Sequence, residues 1–169
     1  RVCFGGHHMT AGVHFERTEA YAPVPSWTTI KLQLALTAKH RLGLRAFDCT
    51  AAYLQAELKK PLYARPPKGL MSVLQKEMEG ENVGTSANDV WKLRKALYGY
   101  AGSSRLWWDK VSSWLKSYGF RALGNSGTFM MLDNRNATEE SMQGIILLNL
   151  YSDDGLASID NSALWDKFM

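Results

Sequence analysis

Cysteine is scarce in this 169-residue chain: Cys3 and Cys49 are the only two. They are too few and too far apart for a disulfide framework or a C-x-x-C metal pair, so a reducing compartment is the default expectation. Proline is scarce as well, with 5 residues beside 14 glycines, which excludes collagen-like and low-complexity chains. Long apolar runs are missing. Stretches such as Ile145–Leu148 fall far short of the roughly 20 apolar residues a membrane helix needs, and no charged-then-apolar leader opens the chain, so no membrane partner is expected. Neither G-x-x-x-x-G-K-[ST] nor G-x-G-x-x-G nor G-x-S-x-G occurs, which leaves P-loop hydrolysis, dinucleotide binding and a nucleophile elbow unsupported. Cys3, His7, His8 and His14 match no zinc-ligand spacing, and a solvated loop is the favoured reading of that segment. What remains, 46% hydrophobic and 21% charged residues, is the composition of an ordinary globular chain of one domain or one and a half. The first residue is Arg, so a fragment or a processed product is expected.

The net charge of +4 conceals a division. Between residues 92 and 121, Lys92, Arg94, Lys95, Arg105, Lys110, Lys116 and Arg121 stand against Asp109 alone, interleaved with Tyr98, Tyr100, Trp107, Trp108 and Trp114. That mixture suits a surface that tracks a phosphate backbone and stacks on bases. It is also what a helix with a solvated face and an aromatic core stripe looks like, and composition alone favours the helix. Residues 122–169 reverse the balance, with only Arg135 and Lys167 set against their carboxylates, as either solvated surface or a cation site.

Strands and helices alternate in an α+β order. Residues 1–26 read as a short hairpin followed by an extended Pro-containing segment. Ser26 is a candidate N-cap for a helix with apolar positions Ile30, Leu34, Ala35, Ala38 and Leu42 and a stop at Gly43. Leu44–Thr50 reads as a strand that places Asp48 where a carboxylate is costly. Leu62–Ala64 reads as an edge strand ended by Pro66 and Pro67, residues 70–89 as a surface insertion, and Val90–Leu93 as a strand. Ser103 or Ser104 can cap a helix carrying Trp107, Val111, Trp114, Leu115 and Tyr118 to a stop at Gly119. Thr128–Leu132 and Gly144–Leu150 read as strands joined through the turn-rich Asp133–Asn136. The second strand runs into Tyr151-Ser152-Asp153-Asp154-Gly155 and a further strand, a hairpin with two carboxylates at its tip. Adjacent aspartates in a turn are common and benign. If Asp48 ends a neighbouring strand, however, three acids meet, and their repulsion implies a cation, with oxygen-only ligation suiting Mg²⁺ or Mn²⁺.

Five segments then align in order: Tyr21-Ala22-Pro23-Val24, Phe47-Asp48-Cys49-Thr50-Ala51-Ala52-Tyr53-Leu54, Tyr63-Ala64-Arg65-Pro66-Pro67-Lys68-Gly69, Lys92-Leu93-Arg94-Lys95-Ala96-Leu97-Tyr98-Gly99 and Tyr151-Ser152-Asp153-Asp154. Together they resemble the reverse transcriptase domain of copia-type LTR retrotransposons across nearly the whole chain. The resemblance implies an α+β polymerase palm, an antiparallel sheet with helices packed on one face, with partial fingers and no thumb. It divides the chain into partial fingers at 1–43, a first palm segment at 44–55, fingers at 56–100 and palm at 101–169. It further implies RNA-directed DNA polymerase activity, template-directed synthesis from dNTPs by two-metal phosphoryl transfer. Asp48, Asp153 and Asp154 would be the catalytic and metal-holding acids for two Mg²⁺ (or Mn²⁺) ions. Tyr53, Gly99 and Arg1 would meet the nucleotide, and Lys92, Arg94, Lys95, Arg105, Tyr151 and Ser152 the nucleic acid.

The implied partners are an RNA or DNA template with its primer, dNTPs, and the thumb, RNase H and integrase parts of a polyprotein. The implied location is a cytoplasmic particle or the nucleus. Departures from the family pattern are Gly5 in place of a second finger cation, Ala101, Gly102 and Ser104 in place of a Lys-Gln pair and a Pro, and Ser152 where Val or Met is usual. They favour an eroded or truncated copy with weak activity. A non-catalytic relic that binds nucleic acid is the alternative, and a two-metal nuclease would share the acids but lacks the surrounding motifs.

Overall fold

The computed structural model describes residues 3–67, 69–70, 90–132, 144–160 and 165–166. Arg1, most of the expected insertion (71–89) and the turn Asp133–Asn136 lie outside them. After a 3₁₀ turn at Gly6–His8 the elements are α1 (Arg17–Ala20), α2 (Trp27–His40), β1 (Gly43–Asp48), α3 (Ala52–Gln55), β2 (Glu57–Ala64), β3 (Trp91–Lys95), α4 (Ser103–Ser117), β4 (Arg121–Ala122), β5 (Thr128–Leu132), β6 (Ile145–Tyr151) and β7 (Asp154–Ile159). The chain is thus mixed α/β with antiparallel sheets. It divides into two units, residues 1–20 with 53–106, and residues 21–52 with 107–169.

The second unit is built on a five-stranded sheet in the order β1-β7-β6-β5-β4, antiparallel at every pairing. Central β6 is buried from Ile145 to Leu150 without alternation, so both faces of the sheet are covered. Register assigns the two faces. Phe129 and Leu148 are partners on one, and there the Trp108 ring of α4 stands 5.4 Å from that of Phe129. Asn149 lies on the other with its partner Leu156, two residues before Ser158, and there α2 docks through Gln33. The helices therefore take opposite faces, not the single face expected.

Ser26 caps α2 as expected, accepting the Thr29 N–H at 3.1 Å. The stop is Arg41, with φ +55°, because Gly43 already pairs with Ile159 in the β1–β7 ladder. The buried face of α2 also differs from the apolar stripe expected. Leu34, Ala35 and Ala38 are exposed, whereas Gln33 and Thr37 are 4% and 8% exposed. The sheet under α2 presents polar groups, which only a polar side chain can satisfy once water is excluded. Gln33 Nε2 donates toward the carbonyls of Leu147 and Leu156, both at 3.1 Å, and toward Ser158 Oγ at 2.9 Å. Its Oε1 accepts from Asn149 Nδ2, and Thr128 Oγ1 donates to Asn149 Oδ1 at 2.6 Å. The Thr37 hydroxyl donates to the Gln33 carbonyl at 2.7 Å and lies 2.6 Å from Ser158 Oγ. No buried side-chain polar atom among the described residues lacks a partner.

α4 follows the expected period. Trp107, Val111 and Leu115 are buried, while Trp114 and Tyr118 stay partly exposed, and Gly119 ends the helix at φ +106°. Its first residue does not act as the expected cap: Ser103 Oγ donates to the Leu97 carbonyl at 2.7 Å. On the edge of the sheet the Phe47 ring lies over its β7 partner Gly155, where an added Cβ would overlap the Cζ end of the ring. Gly155→Ala is expected to cost about 1–3 kcal/mol, typical of overpacking a tight site. It should read as a lower urea midpoint with the slope unchanged; an unshifted midpoint would show that the ring swings aside freely.

In the first unit β2 and β3 form an antiparallel ribbon whose register shifts between Glu57 and Leu62. That irregularity admits Pro61, so β2 begins well before the expected Leu62. Among the described residues of the N-terminal segment no strand pair of the expected hairpin is present, only an isolated bridge between Ala11 and Phe15. Phe4 N–H donates to the Tyr98 carbonyl at 2.6 Å, and the Gly6 and Phe4 backbones pack so closely on Gly99 that a Cβ on Gly6 or Gly99 would overlap backbone atoms.

Candidate active site

β6 and β7 are joined by a two-residue turn, Ser152-Asp153, with Tyr151 and Asp154 as the facing pair that closes it. A two-residue hairpin loop needs positive φ at a central position, usually supplied by glycine, and here Ser152 adopts φ +61°. Asp48 ends β1 and is the register partner of Asp154; directly opposite residues have Cβ atoms roughly 4.5–5.5 Å apart. Cys49, next in sequence, donates its N–H to the Asp153 carbonyl at 2.8 Å. Local pairing thus brings all three acids to one end of the sheet. Asp48 and Asp154 are exposed and Asp153 is half-buried. Asp48 therefore escapes the desolvation cost that an interior strand position would impose.

Cys49 registers this concentration of charge. Burial first, and then the negative charges of Asp48, Asp153 and Asp154, push its thiol above the ordinary value. No three His, Cys, Asp or Glu side chains among the described residues are gathered so as to hold one ion. The donor set is nevertheless three carboxylates, two on adjacent strands and one in the turn between β6 and β7, with no nitrogen or sulfur ligand required, and its chemistry fits Mg²⁺ or Mn²⁺. Tyr151 is exposed and Ser152 half-buried in the same unit. The Ser152 carbonyl accepts the Trp107 indole N–H at 2.8 Å.

The other expected site residues belong to the first unit. Tyr53 is half-buried on α3, its ring 4.6 Å from that of Tyr98 and its hydroxyl 3.2 Å from Ser104 Oγ. Gly99, at φ +89°, owes its need for glycine here to the chain's own Phe4 backbone. Lys92, Arg94 and Lys95 are exposed on β3 and Arg105 is half-buried on α4. The first three line an open groove of about 560 Å³ together with Lys59, Lys60 and the single acid Glu57. Lys59 and Lys60 thus add two cations to those the sequence singles out, in a stretch, residues 57–68, where Lys59, Lys60, Arg65 and Lys68 are set against Glu57 alone. Lys60 also pairs with Glu19 at 2.8 Å, a bond that holds the Glu19 carboxyl below its ordinary value. Trp107 is buried and Trp108 is half-buried with its ring packed on Phe129, so both contribute to the core of the sheet unit.

Residues 1–168 match the family described as "Reverse transcriptase (RNA-dependent DNA polymerase)". The chain belongs to the reverse transcriptase family. Among its relatives are two from Arabidopsis thaliana, the "Retrovirus-related Pol polyprotein from transposon RE1", 25% identical over 97% of this chain, and its RE2 counterpart, 24% identical over the same share. In each case this reverse transcriptase-family chain spans 10% of the relative's length. No solved structure matches it. No helix among the described residues is long and apolar enough to cross a membrane.

Proposed function

We propose that the chain is the core of a copia-type reverse transcriptase, with a palm built on the five-stranded sheet, partial fingers, and template-directed synthesis of DNA from dNTPs. The carrying observation is the pairing of Asp48 with Asp154 beside the Asp153 turn, within a chain whose five motifs follow the copia order. Asp48 and Asp153 would hold two Mg²⁺ ions, with Asp154 assisting. When bound, such a pair lowers the pKa of the primer 3′-OH and stabilises the pyrophosphate leaving group. Asp48 and Asp154 stand on paired strands and Asp153 in the tight turn that joins β6 to β7, so their spacing is largely set before substrate arrives and little reorganisation is left to the reaction. Tyr53 is read as the ring that selects deoxynucleotides, and the remainder of a Pol polyprotein as the partner.

Primer extension on RNA and DNA templates tests the proposal. Incorporation that requires Mg²⁺ and stops with chelator is the expected result. Duplex binding without incorporation would instead favour the non-catalytic relic. The groove between β2 and β3 makes a separate prediction. If Lys92 and Lys95 meet phosphates, Lys92→Ala and Lys95→Ala should each reduce the slope of log affinity against log salt by about one. An unaltered slope in duplex titrations would remove both from the interface.

A further inference from the structure

The Ser152-Asp153 turn has two carbonyls, and both are held from outside the hairpin. The Asp153 carbonyl takes the Cys49 N–H, which ties the turn to the strand end bearing Asp48. The Ser152 carbonyl takes the indole N–H of Trp107, on α4, at 2.8 Å. Ser152 is the residue for which such a tether matters. It is not glycine, yet its φ is +61°, and a side chain persists in that region only where its surroundings over-determine it. Trp107 is suited to the task. Its ring is only 6% exposed, so the ring is fixed by packing, and an indole nitrogen donates and never accepts. Its neighbour Trp108 is occupied on Phe129.

We propose that Trp107 is a positioning residue: its indole N–H clamps the Ser152 carbonyl, holds the strained turn in one conformation and so fixes where Asp153 stands relative to Asp48. This rests on the proposed function for its catalytic meaning, but the clamp itself is readable without activity.

Trp107→Phe tests it by keeping a buried ring and removing one donor. Amide hydrogen exchange across Ser152–Gly155 is expected to accelerate roughly fivefold, the equivalent of one ordinary hydrogen bond, while the β5 amides keep their rates. Adding Ser152→Gly, which accepts positive φ without strain, should restore slow exchange. In primer extension kcat should fall by a similar factor, with KM for the nucleotide unchanged. Unchanged exchange in the turn, or equal acceleration throughout the sheet, overturns the clamp. A native chain that incorporates nothing sinks the proposed function alone, because the exchange experiment still decides the clamp. Should Trp107→Phe fail to fold, the native indole protons decide it. That of Trp107 is expected to exchange far more slowly than that of Trp27, which is 77% exposed, and equal rates overturn the proposal.

Discussion

Asp153→Asn is expected to lower Mg²⁺-dependent primer extension about a thousandfold, the rate equivalent of the several kcal/mol that a bound metal contributes to the transition state. The substitution keeps the side-chain shape, and the bond from Cys49 goes to the backbone carbonyl of Asp153, so the turn should survive. Stability should hold or rise slightly in chelator, since removing one of three neighbouring negative charges relieves repulsion. That opposition separates a functional acid from a structural one, because a structural carboxylate would lose stability when neutralised. Asp48→Asn should behave alike and Asp154→Asn more mildly. Calorimetry gives a second reading: Mn²⁺ binding to the native chain should vanish in Asp153→Asn. Unchanged binding, or extension within about tenfold of native, a difference of only 1.4 kcal/mol, would remove Asp153 from the metal site.

Much of this arrangement is legible in the sequence because it follows from local patterns. The apolar run at 145–150, the turn chemistry after it and the Asp48 strand suffice to read a carboxylate-tipped hairpin and a second strand ending in an acid, while their pairing comes from the β1–β7 register. The α4 period singles out Trp107, Val111, Trp114, Leu115 and Tyr118; Trp107, Val111 and Leu115 are buried, whereas Trp114 and Tyr118 are exposed. The failures share a cause, which is that the decisive partner is distant in sequence. Gln33 reads as a surface residue of α2 until the carbonyls of Leu147 and Leu156 are found beneath it. Gly99 lies against the Phe4 backbone, a contact that its own motif does not reveal. Trp107 shows its buried ring in its spacing, but no spacing reveals which carbonyl its N–H meets. The exposure of Asp48 is likewise set by its position at the end of the edge strand β1.

Gln33→Leu is expected to be the most destabilising single change in the sheet unit, by about 2–4 kcal/mol, because it leaves buried polar groups without partners. The Asn149 amide loses its acceptor, and Ser158 loses a donor while keeping Thr37. The carbonyls of Leu147 and Leu156 lose only a supplementary bond, so the orphaned Asn149 amide dominates. A double-mutant cycle isolates it. Asn149→Leu on the same background removes the stranded donor, and the Thr128 hydroxyl can turn to the Ser126 carbonyl, 3.3 Å away. The double variant should therefore recover stability relative to Gln33→Leu, since replacing both partners by apolar groups costs less than stranding one. Urea midpoints of the native chain, both single variants and the double variant give the coupling. Additive losses would mean that the two amides do not act as a pair. A coupling of more than about 1 kcal/mol, within the range for residues in one hydrogen-bond network, would mean that α2 is fastened to the carboxylate hairpin through a buried polar joint, where an apolar helix face was expected.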